Sequence, residues 1–528
     1  NVLVVGGSGS GKSASYSIPN AHQMLGSYVF TDPKGELYDR TAGYLKEHGY
    51  KIKVLNLVHP QFSDGYNPLL HISSEIDVDV IANTIVKGQK AEGGGGSDPF
   101  WDDSAETLLK SLIYYLMATR PEEEQNLASC AEMVRAANSN GGSNLLTELM
   151  SQLPYDHPAR MNYKSIEIAP EKTYSSILST LQSKLGKFDS KEIAELTSTD
   201  TINFEEIGTQ KTAVYVISSD THGAYDFLLT IFFAQMIQQL YDFADNNGGK
   251  LKERTYFILD EFANIGRIPD FDKKISTSRS RGISFSVILQ NLDQLEAIYE
   301  KANETIIGNC DTHVFLGSNS QKTVEYFSKA LGEKTISHES ISTNRDKEHK
   351  KTGTSDSDQI MARALMTPDE LRRMDNDLCI IFEKGVKPVK ANKFYYFKKP
   401  MAKEMAALEI SHNDIGEIER GKWRKYNPYN PYVEETDKEA VKDLKVESLD
   451  DLFDDPDPIE EHKKENNTKV EAPKKEEKKI EKLSLDDIDT DDAPILPMNE
   501  DPEDEYDLQK ELEAKFDELF GPIDDNDD

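Results

Sequence analysis

Short apolar runs alternate with amphipathic stretches from the start of the chain. Val2–Val5, Tyr28–Thr31 and Ile52–Leu57 are rich in Val, Ile, Leu and aromatic residues, and each is followed by a turn or a helical pattern. That rhythm predicts βαβ units and a mostly parallel sheet. Runs of the same kind return at Ala213–Ile217, Tyr256–Leu259, Ser284–Leu289 and His313–Leu316, then at Cys379–Phe382 and Lys393–Phe397. Between the two sets the period lengthens to that of a helix. Trp101, Ala105, Leu108, Leu109, Leu112, Ile113 and Leu116 fall on one helical face, as do Tyr174, Ile177, Leu178, Leu181 and Leu185. Leu127, Ala131 and Val134 repeat the spacing. The pattern predicts an α/β domain in two parts, residues 1–97 and 204–400, interrupted by an all-α segment over 98–203. The glycine run Gly93–Gly96 serves as a loop at the first boundary. Residues 401–436, with Trp423, Tyr426, Tyr429 and Tyr432, read as an exit arm.

Charge separates the last part of the chain from the rest. The 528 residues carry 61 Lys and Arg against 95 Asp and Glu, net −34. Val433 to Asp528 alone hold 37 acidic and 13 basic side chains, net −24, which leaves the first part only mildly acidic. Residues 437–528 therefore read as a disordered acidic tail, too poor in large apolar side chains to bury a core. One stretch departs from this: Leu508, Leu512, Phe516, Leu519 and Phe520 share a helical face. The tail also echoes itself, in Ser448-Leu-Asp-Asp-Leu-Phe453 and Ser484-Leu-Asp-Asp-Ile488. Such repeats describe either a solubilising appendage or motifs that dock a protein partner.

A globally basic nucleic-acid coat protein is excluded, although a local basic surface is not. Cys130, Cys310 and Cys379 have no CxxC spacing, which excludes a disulfide scaffold or a zinc ribbon and fits a reducing compartment. The most apolar stretch, Phe227–Tyr241, is broken by Gln235, Gln238 and Gln239 and reads as a core helix. The chain opens directly on a strand at Asn1, so a preceding segment is expected.

Gly6-Gly7-Ser8-Gly9-Ser10-Gly11-Lys12-Ser13 fits GxxxxGK[ST] between an apolar strand and a predicted helix over 13–25. Glycines let the backbone wrap a phosphate with its N–H groups, Lys12 reaches the outer phosphates, and Ser13 offers an oxygen to Mg²⁺. A second element follows the strand Thr255–Leu259. Asp260 at its carboxyl end is placed to hold Mg²⁺, and Glu261 to orient or deprotonate water. The next strand ends at Gln290, which is either a γ-phosphate sensor or a cap for the helix that follows. Arg279 and Arg281 precede that strand. An arginine there is either a solvated charge or a finger that enters a neighbouring subunit's site.

With these motifs the chain resembles the type IV coupling protein family, the conjugative DNA-transfer ATPases of type IV secretion. The further phrases that carry the likeness are Thr31-Asp-Pro-Lys-Gly-Glu-Leu37, Tyr66-Asn-Pro-Leu69, Asp98-Pro-Phe-Trp101, Asp260 to Pro269, Arg279 to Gln290 and Met366-Thr-Pro-Asp-Glu370. They span about residues 1 to 400. The resemblance implies a RecA-like P-loop ATPase domain with an inserted all-α domain, assembled as a hexamer at the cytoplasmic face of the plasma membrane by an anchor absent from this chain. It implies ATP and Mg²⁺ as ligands, with Gly6 to Ser13 binding nucleotide and Ser13 and Asp260 the metal. Glu261, Gln290 and a trans-acting Arg279 would serve catalysis. The implied partners are relaxase-bound single-stranded DNA and type IV secretion channel components. A nucleotide-dependent membrane receptor that docks protein substrates without moving DNA is the alternative. The Thr31–Leu37 and Tyr66–Leu69 phrases have no assigned role beyond turns. The polar, Lys-bearing stretch Ser337–Asp358 is either a DNA-contacting element or an exposed loop.

Overall fold

A computed structural model of the chain describes residues 1–429, apart from 89–98, 140–143, 220–222, 224, 346–350 and 417. The glycine run, the acidic tail with its echoes, and Tyr432 lie outside the described residues.

The apolar runs pair into one nine-stranded sheet. Its strands are β1 (Val2–Gly6), β2 (Ser27–Thr31), β3 (Lys51–Asn56), β4 (Thr212–Ile217), β5 (Thr255–Leu259), β6 (Ile283–Leu289), β7 (Thr312–Gly317), β10 (Leu378–Glu383) and β11 (Val389–Asn392). The spatial order is β11-β10-β7-β1-β6-β5-β2-β4-β3. From β3 to β7 all neighbours are parallel; β10 is antiparallel to β7, and β11 to β10. Alternate strand residues enter opposite cores because the strand period is two. Val4, Phe30, Tyr215, Ile258 and Ile288 face one cluster, whereas Leu3, Val5, Val29, Val216, Phe257 and Val287 face the other. A sheet covered on both sides needs such unbroken apolar strands.

The first cluster is closed by α1 (Ile18–His22) and α2 (Glu36–Glu47), through Ile18, Leu37, Tyr38, Ala42 and Leu45. The second is far larger. It takes in α3 (Glu75–Lys87) and the run of helices α4 (Pro99–Thr119), α5 (Leu127–Ser139), α6 (Asn144–Ser151), α7 (Pro158–Glu167), α8 (Glu171–Leu185) and α9 (Lys191–Leu196), then α10 (Phe204–Thr209) and α11 (Asp226–Asn246). The described residues between 99 and 209 contain helices and no strand. The described residues fall within one compact unit.

The Tyr66–Leu69 phrase lies where these helices meet the sheet. The buried Tyr66 hydroxyl donates to Gln235 Oε1 at 2.5 Å, Gln235 Nε2 donates back to the Pro68 carbonyl at 3.0 Å, and Asn67 Nδ2 donates to the Gln125 carbonyl at 2.8 Å. It braces the junction by satisfying buried amides, as buried polar groups require.

Two expectations are corrected. Lys393–Phe397 is not a strand: the sheet edge is Val389–Asn392, and the aromatic residues after it leave the sheet. The stretch Ser337–Asp358 is not a simple loop either. Most of it belongs to a two-stranded antiparallel ribbon of β8 (Glu333–Arg345) and β9 (Lys351–Ala364), separate from the main sheet. Its polar, Ser/Thr-rich composition carries no apolar alternation from which a strand could be read.

The exit arm lies along the molecule. His412 N–H and Nδ1 both reach Asp39 Oδ1 in α2, at 2.6 and 2.8 Å. Further on, Arg424 bonds Glu123 Oε2 and Glu124 Oε1 between α4 and α5, at 2.5 and 2.7 Å. Tyr426 is buried, with its N–H on Ser129 Oγ at 2.9 Å and the Arg120 guanidinium 4.5 Å from its ring centre.

Candidate active site

Parallel strands put their carboxyl ends on one edge of the sheet, and the predicted chemistry gathers there. Residues 6–13 leave β1 as a tight loop, with Gly9 at φ +72° and Gly11 at φ +82°, conformations that side-chain-bearing residues avoid. A Cβ on Gly6 would come within 2.3 Å of Ser10 Oγ. The Gly7 N–H donates to the Gly317 carbonyl at 2.9 Å, so β7 anchors the loop from the side. The predicted helix over 13–25 is shorter and irregular, a π turn at Ser13–Ser17 running into α1.

Lys12 is 9% exposed, and its ammonium donates to the Gly6 carbonyl at 3.0 Å and lies 3.2 Å from Glu261 Oε1. Ser13 Oγ donates to Asp260 Oδ2 at 3.0 Å. Gln290 Nε2 donates to the other Glu261 oxygen, Oε2, at 3.1 Å. The cap of the following helix is Asn291, which accepts from the Gln294 N–H, so Gln290 is not the cap. Lys12, Ser13, Asp260, Glu261 and Gln290 thus form one hydrogen-bonded group at the ends of β1, β5 and β6. Glu261 sits at φ 51°, ψ 49°, a left-handed conformation costing about 1–3 kcal/mol for a non-glycine residue. It turns the side chain back toward Lys12 and Gln290 at the strand end.

Burial governs the protonation of Asp260. The Asp260 carboxyl is pushed up to about 6 by desolvation; Lys12 pulls the other way, while the Glu261 charge adds to the rise. Asp32, one residue past β2, was absent from the predicted site. It is 2% exposed and pushed up to about 7, chiefly by burial and in smaller part by Asp260. The pairing of Thr31 with Leu259 sets Asp32 level with Asp260 on the neighbouring strand, and Thr31 Oγ1 donates to the Asp260 carbonyl at 2.6 Å. Asp32 Oδ2 also accepts from the Tyr38 N–H at 2.8 Å, capping α2. The Thr31–Leu37 phrase therefore joins the site to a helix start; Asp–Pro–Lys–Gly spacing alone reads as a turn.

Arg279 is not part of this group. It precedes β6, whose other end carries Gln290; a seven-residue strand spans about 23 Å. Its side chain is 89% exposed and 3.7 Å from Asp311. Arg281, by contrast, is held by Asp245 in two hydrogen bonds of 2.9 and 2.8 Å and lies over the Tyr241 ring.

The loop fits an anion. Ser10 Oγ is buried without a hydrogen-bond partner, and the glycines leave the backbone open to close approach. Ser13 and Asp260 offer hard oxygen donors. Among the described residues no group of three or more His, Cys, Asp or Glu could cage a metal. Ser13 and Asp260 supply two protein oxygens beside the loop; Mg²⁺ commonly takes one or two and shares the rest with phosphate and water.

Residues 1–417 match the family described as "Type IV secretory system Conjugative DNA transfer". The chain belongs to that family. It is 26% identical over 445 residues to the conjugal transfer protein TraG of Escherichia coli, covering 77% of this chain and 69% of that one. It is 25% identical over 428 residues to protein VirD4 of Agrobacterium fabrum (strain C58 / ATCC 33970), covering 77% of this chain and 60% of VirD4. The fold, mixed α/β around a large parallel sheet, is that of the plasmid coupling protein TrwB in complex with ADP and Mg²⁺. There the TM-score is 0.51 at 17% identity, over 75% of this chain and 85% of TrwB. Among the described residues no helix is long and apolar enough to cross a membrane.

Proposed function

We propose that this coupling-protein family member is a RecA-like P-loop ATPase, with residues 98–203 as its inserted all-α domain. It works as a ring at the cytoplasmic face of the plasma membrane and drives relaxase-bound single-stranded DNA toward a type IV secretion channel. The observation that carries the reading is the Lys12–Glu261–Gln290 chain beside the Ser13–Asp260 pair. It joins a phosphate-binding cation, a carboxylate base, a polar sensor and a metal-site pair within hydrogen-bond distance.

In this reading the backbone of Gly6 to Ser13 binds the phosphates and Lys12 neutralises the outer ones. Ser13 and Asp260 would hold Mg²⁺, which supplies charge neutralisation at the β- and γ-phosphates when bound. Glu261 accepts the proton of the attacking water, and Gln290 holds its carboxylate in place and feels the γ-phosphate. Arg279, on the opposite edge of the sheet from its own loop, acts only on a neighbour's site. DNA binding rests on local basic surface and is salt-sensitive and sequence-tolerant.

The test is ATP turnover by the purified chain with and without single-stranded DNA. Stimulation by single strands, lost at high salt, is expected. ATP-dependent capture of protein substrates with no response to DNA would favour a docking receptor instead.

A further inference from the structure

The edge strand β11 runs in the same direction as β1, because the two antiparallel pairings of β10 reverse the chain twice. Its carboxyl end therefore opens on the same edge of the sheet as the Gly6–Ser13 loop. Lys393, the next residue, is 6% exposed, and its ammonium donates to the Ser10 carbonyl at 2.8 Å and to Asn376 Oδ1 at 3.2 Å. Tyr395 stands against Gly11: a Cβ there would come within 2.9 Å of Tyr395 Cε1. Its hydroxyl is tied to the Asn376 carbonyl at 3.2 Å.

Between these two, Phe394 is half-exposed. With Met401 it lines a cavity of about 390 Å³ whose other wall is Ser15, Pro19, Asn20, His22 and Gln23. These follow the loop along its own helix, from two to ten residues past Ser13, roughly 3 to 15 Å at helical rise. The cavity begins where the phosphate loop ends and has the size of a small-ligand site.

We propose that Lys393 to Met401 forms a third wall of the nucleotide site, with Lys393 setting the phosphate loop and Phe394 and Met401 receiving the base. The proposal rests on the reading of residues 6–13 as a phosphate loop. In a trans peptide the carbonyl and the following N–H point opposite ways. By holding the Ser10 carbonyl, Lys393 aims the Gly11 N–H away from itself, the sense a phosphate cradle needs. Lys393 is thus a positioning residue. An aromatic ring and a thioether bind the face of a planar base without reading its edge. At the far wall Asn20 Nδ2 donates to the Tyr16 carbonyl at 2.8 Å and Gln23 Nε2 to Asn20 Oδ1 at 3.3 Å. The ligand class is a purine nucleoside triphosphate.

Calorimetry on the whole chain, with Mg²⁺, tests this using ATP, GTP and inorganic tripolyphosphate as probes. Phe394→Ala should weaken ATP and GTP alike, each about tenfold, and leave tripolyphosphate unchanged. Lys393→Met should weaken all three, and Lys393→Arg, which keeps a charged donor, should recover most of the loss. Unchanged ligand-free melting temperatures show that the variants fold. Phe394→Ala binding ATP as well as wild type, or losing tripolyphosphate equally, overturns the base wall. Lys393→Met binding all three as wild type does overturns the positioning role. A wild-type chain that binds none of the three overturns the phosphate-loop reading itself and the proposal with it.

Discussion

The ammonium of Lys12 lies 3.2 Å from Glu261 Oε1, so the cation assigned to phosphate and the carboxylate assigned to water are each other's partners. A triphosphate offers Lys12 stronger anions and frees the carboxylate. In the proposed reading, hydrolytic competence is coupled to occupancy of the loop. Lys12→Ala should abolish nucleotide binding. Glu261→Gln should retain it, since an amide does not compete for Lys12, and should slow turnover by about 10²–10⁴. Equilibrium binding alongside phosphate release separates the two effects. Near wild-type turnover in Glu261→Gln would remove Glu261 as the base.

Arg279 and Arg281 should behave differently despite their spacing. Arg279→Ala removes an exposed ion pair with Asp311, worth little, so stability should change by less than about 0.5 kcal/mol. Its turnover in the assembled state should fall steeply; fingers of this kind contribute about 10³–10⁵ in GTPases. Mixing Arg279→Ala with Lys12→Ala subunits should restore part of the activity, because each supplies what the other lacks. Assembled mixtures that stay inactive would argue against action in trans.

Asp32 gives the fold a pH signature. Its folded pKa of about 7 lies above the ordinary value of 3.8, so the folded chain holds a proton that the unfolded chain has released. That stabilisation is complete below about pH 4 and is lost as pH rises through about 7. Asp32→Asn, which stays neutral, should therefore gain stability over wild type at pH 8 relative to pH 5, by an amount on the order of a few kcal/mol. Urea midpoints at the two pH values measure it. A pH-independent difference between variant and wild type would contradict the assignment.

The exit arm should contribute to stability. Glu124 is 1% exposed and is bonded by Arg120 Nε at 2.6 Å and Arg424 Nε at 2.7 Å. Arg424→Ala removes one partner of a buried carboxylate and should cost about 1–3 kcal/mol. Removing Arg120 as well should cost more than the sum of the single changes, since the charge is then left without a partner. Additive losses in chemical denaturation would show that Arg424 acts independently of Glu124.

Much of this was legible in the sequence because β-strands buried on both faces have no choice but to be apolar throughout. Val2–Val5, Tyr256–Leu259 and Ser284–Leu289 lie where periodicity put them, and so do the loop, Asp260, Glu261 and Gln290 at the strand ends. Lys393–Phe397 misled for a physical reason: four consecutive aromatic residues look like a buried strand, but here Tyr395 packs against Gly11 while Phe394 and Phe397 stay exposed. Lys393 itself carries no motif. It reaches Ser10 across 383 residues only because two strand reversals bring it to the right edge. Asp32 was hidden likewise, its burial set by strand neighbours far away in sequence.

The place of β1 in the middle of the sheet bears on how the protein is made. Val2 pairs with Ser286 on one side and Thr312 on the other. At a synthesis rate of about 5–20 residues per second, those partners leave the ribosome roughly 15 to 60 s after β1 does. For that interval Val2-Leu-Val-Val5 has no native neighbour, while β2, β3 and β4 can already pair among themselves. Nascent chains arrested before residue 283 should therefore hold a partly built sheet with one apolar strand unpaired. This is the species on which a chaperone would act, and from which aggregation would begin.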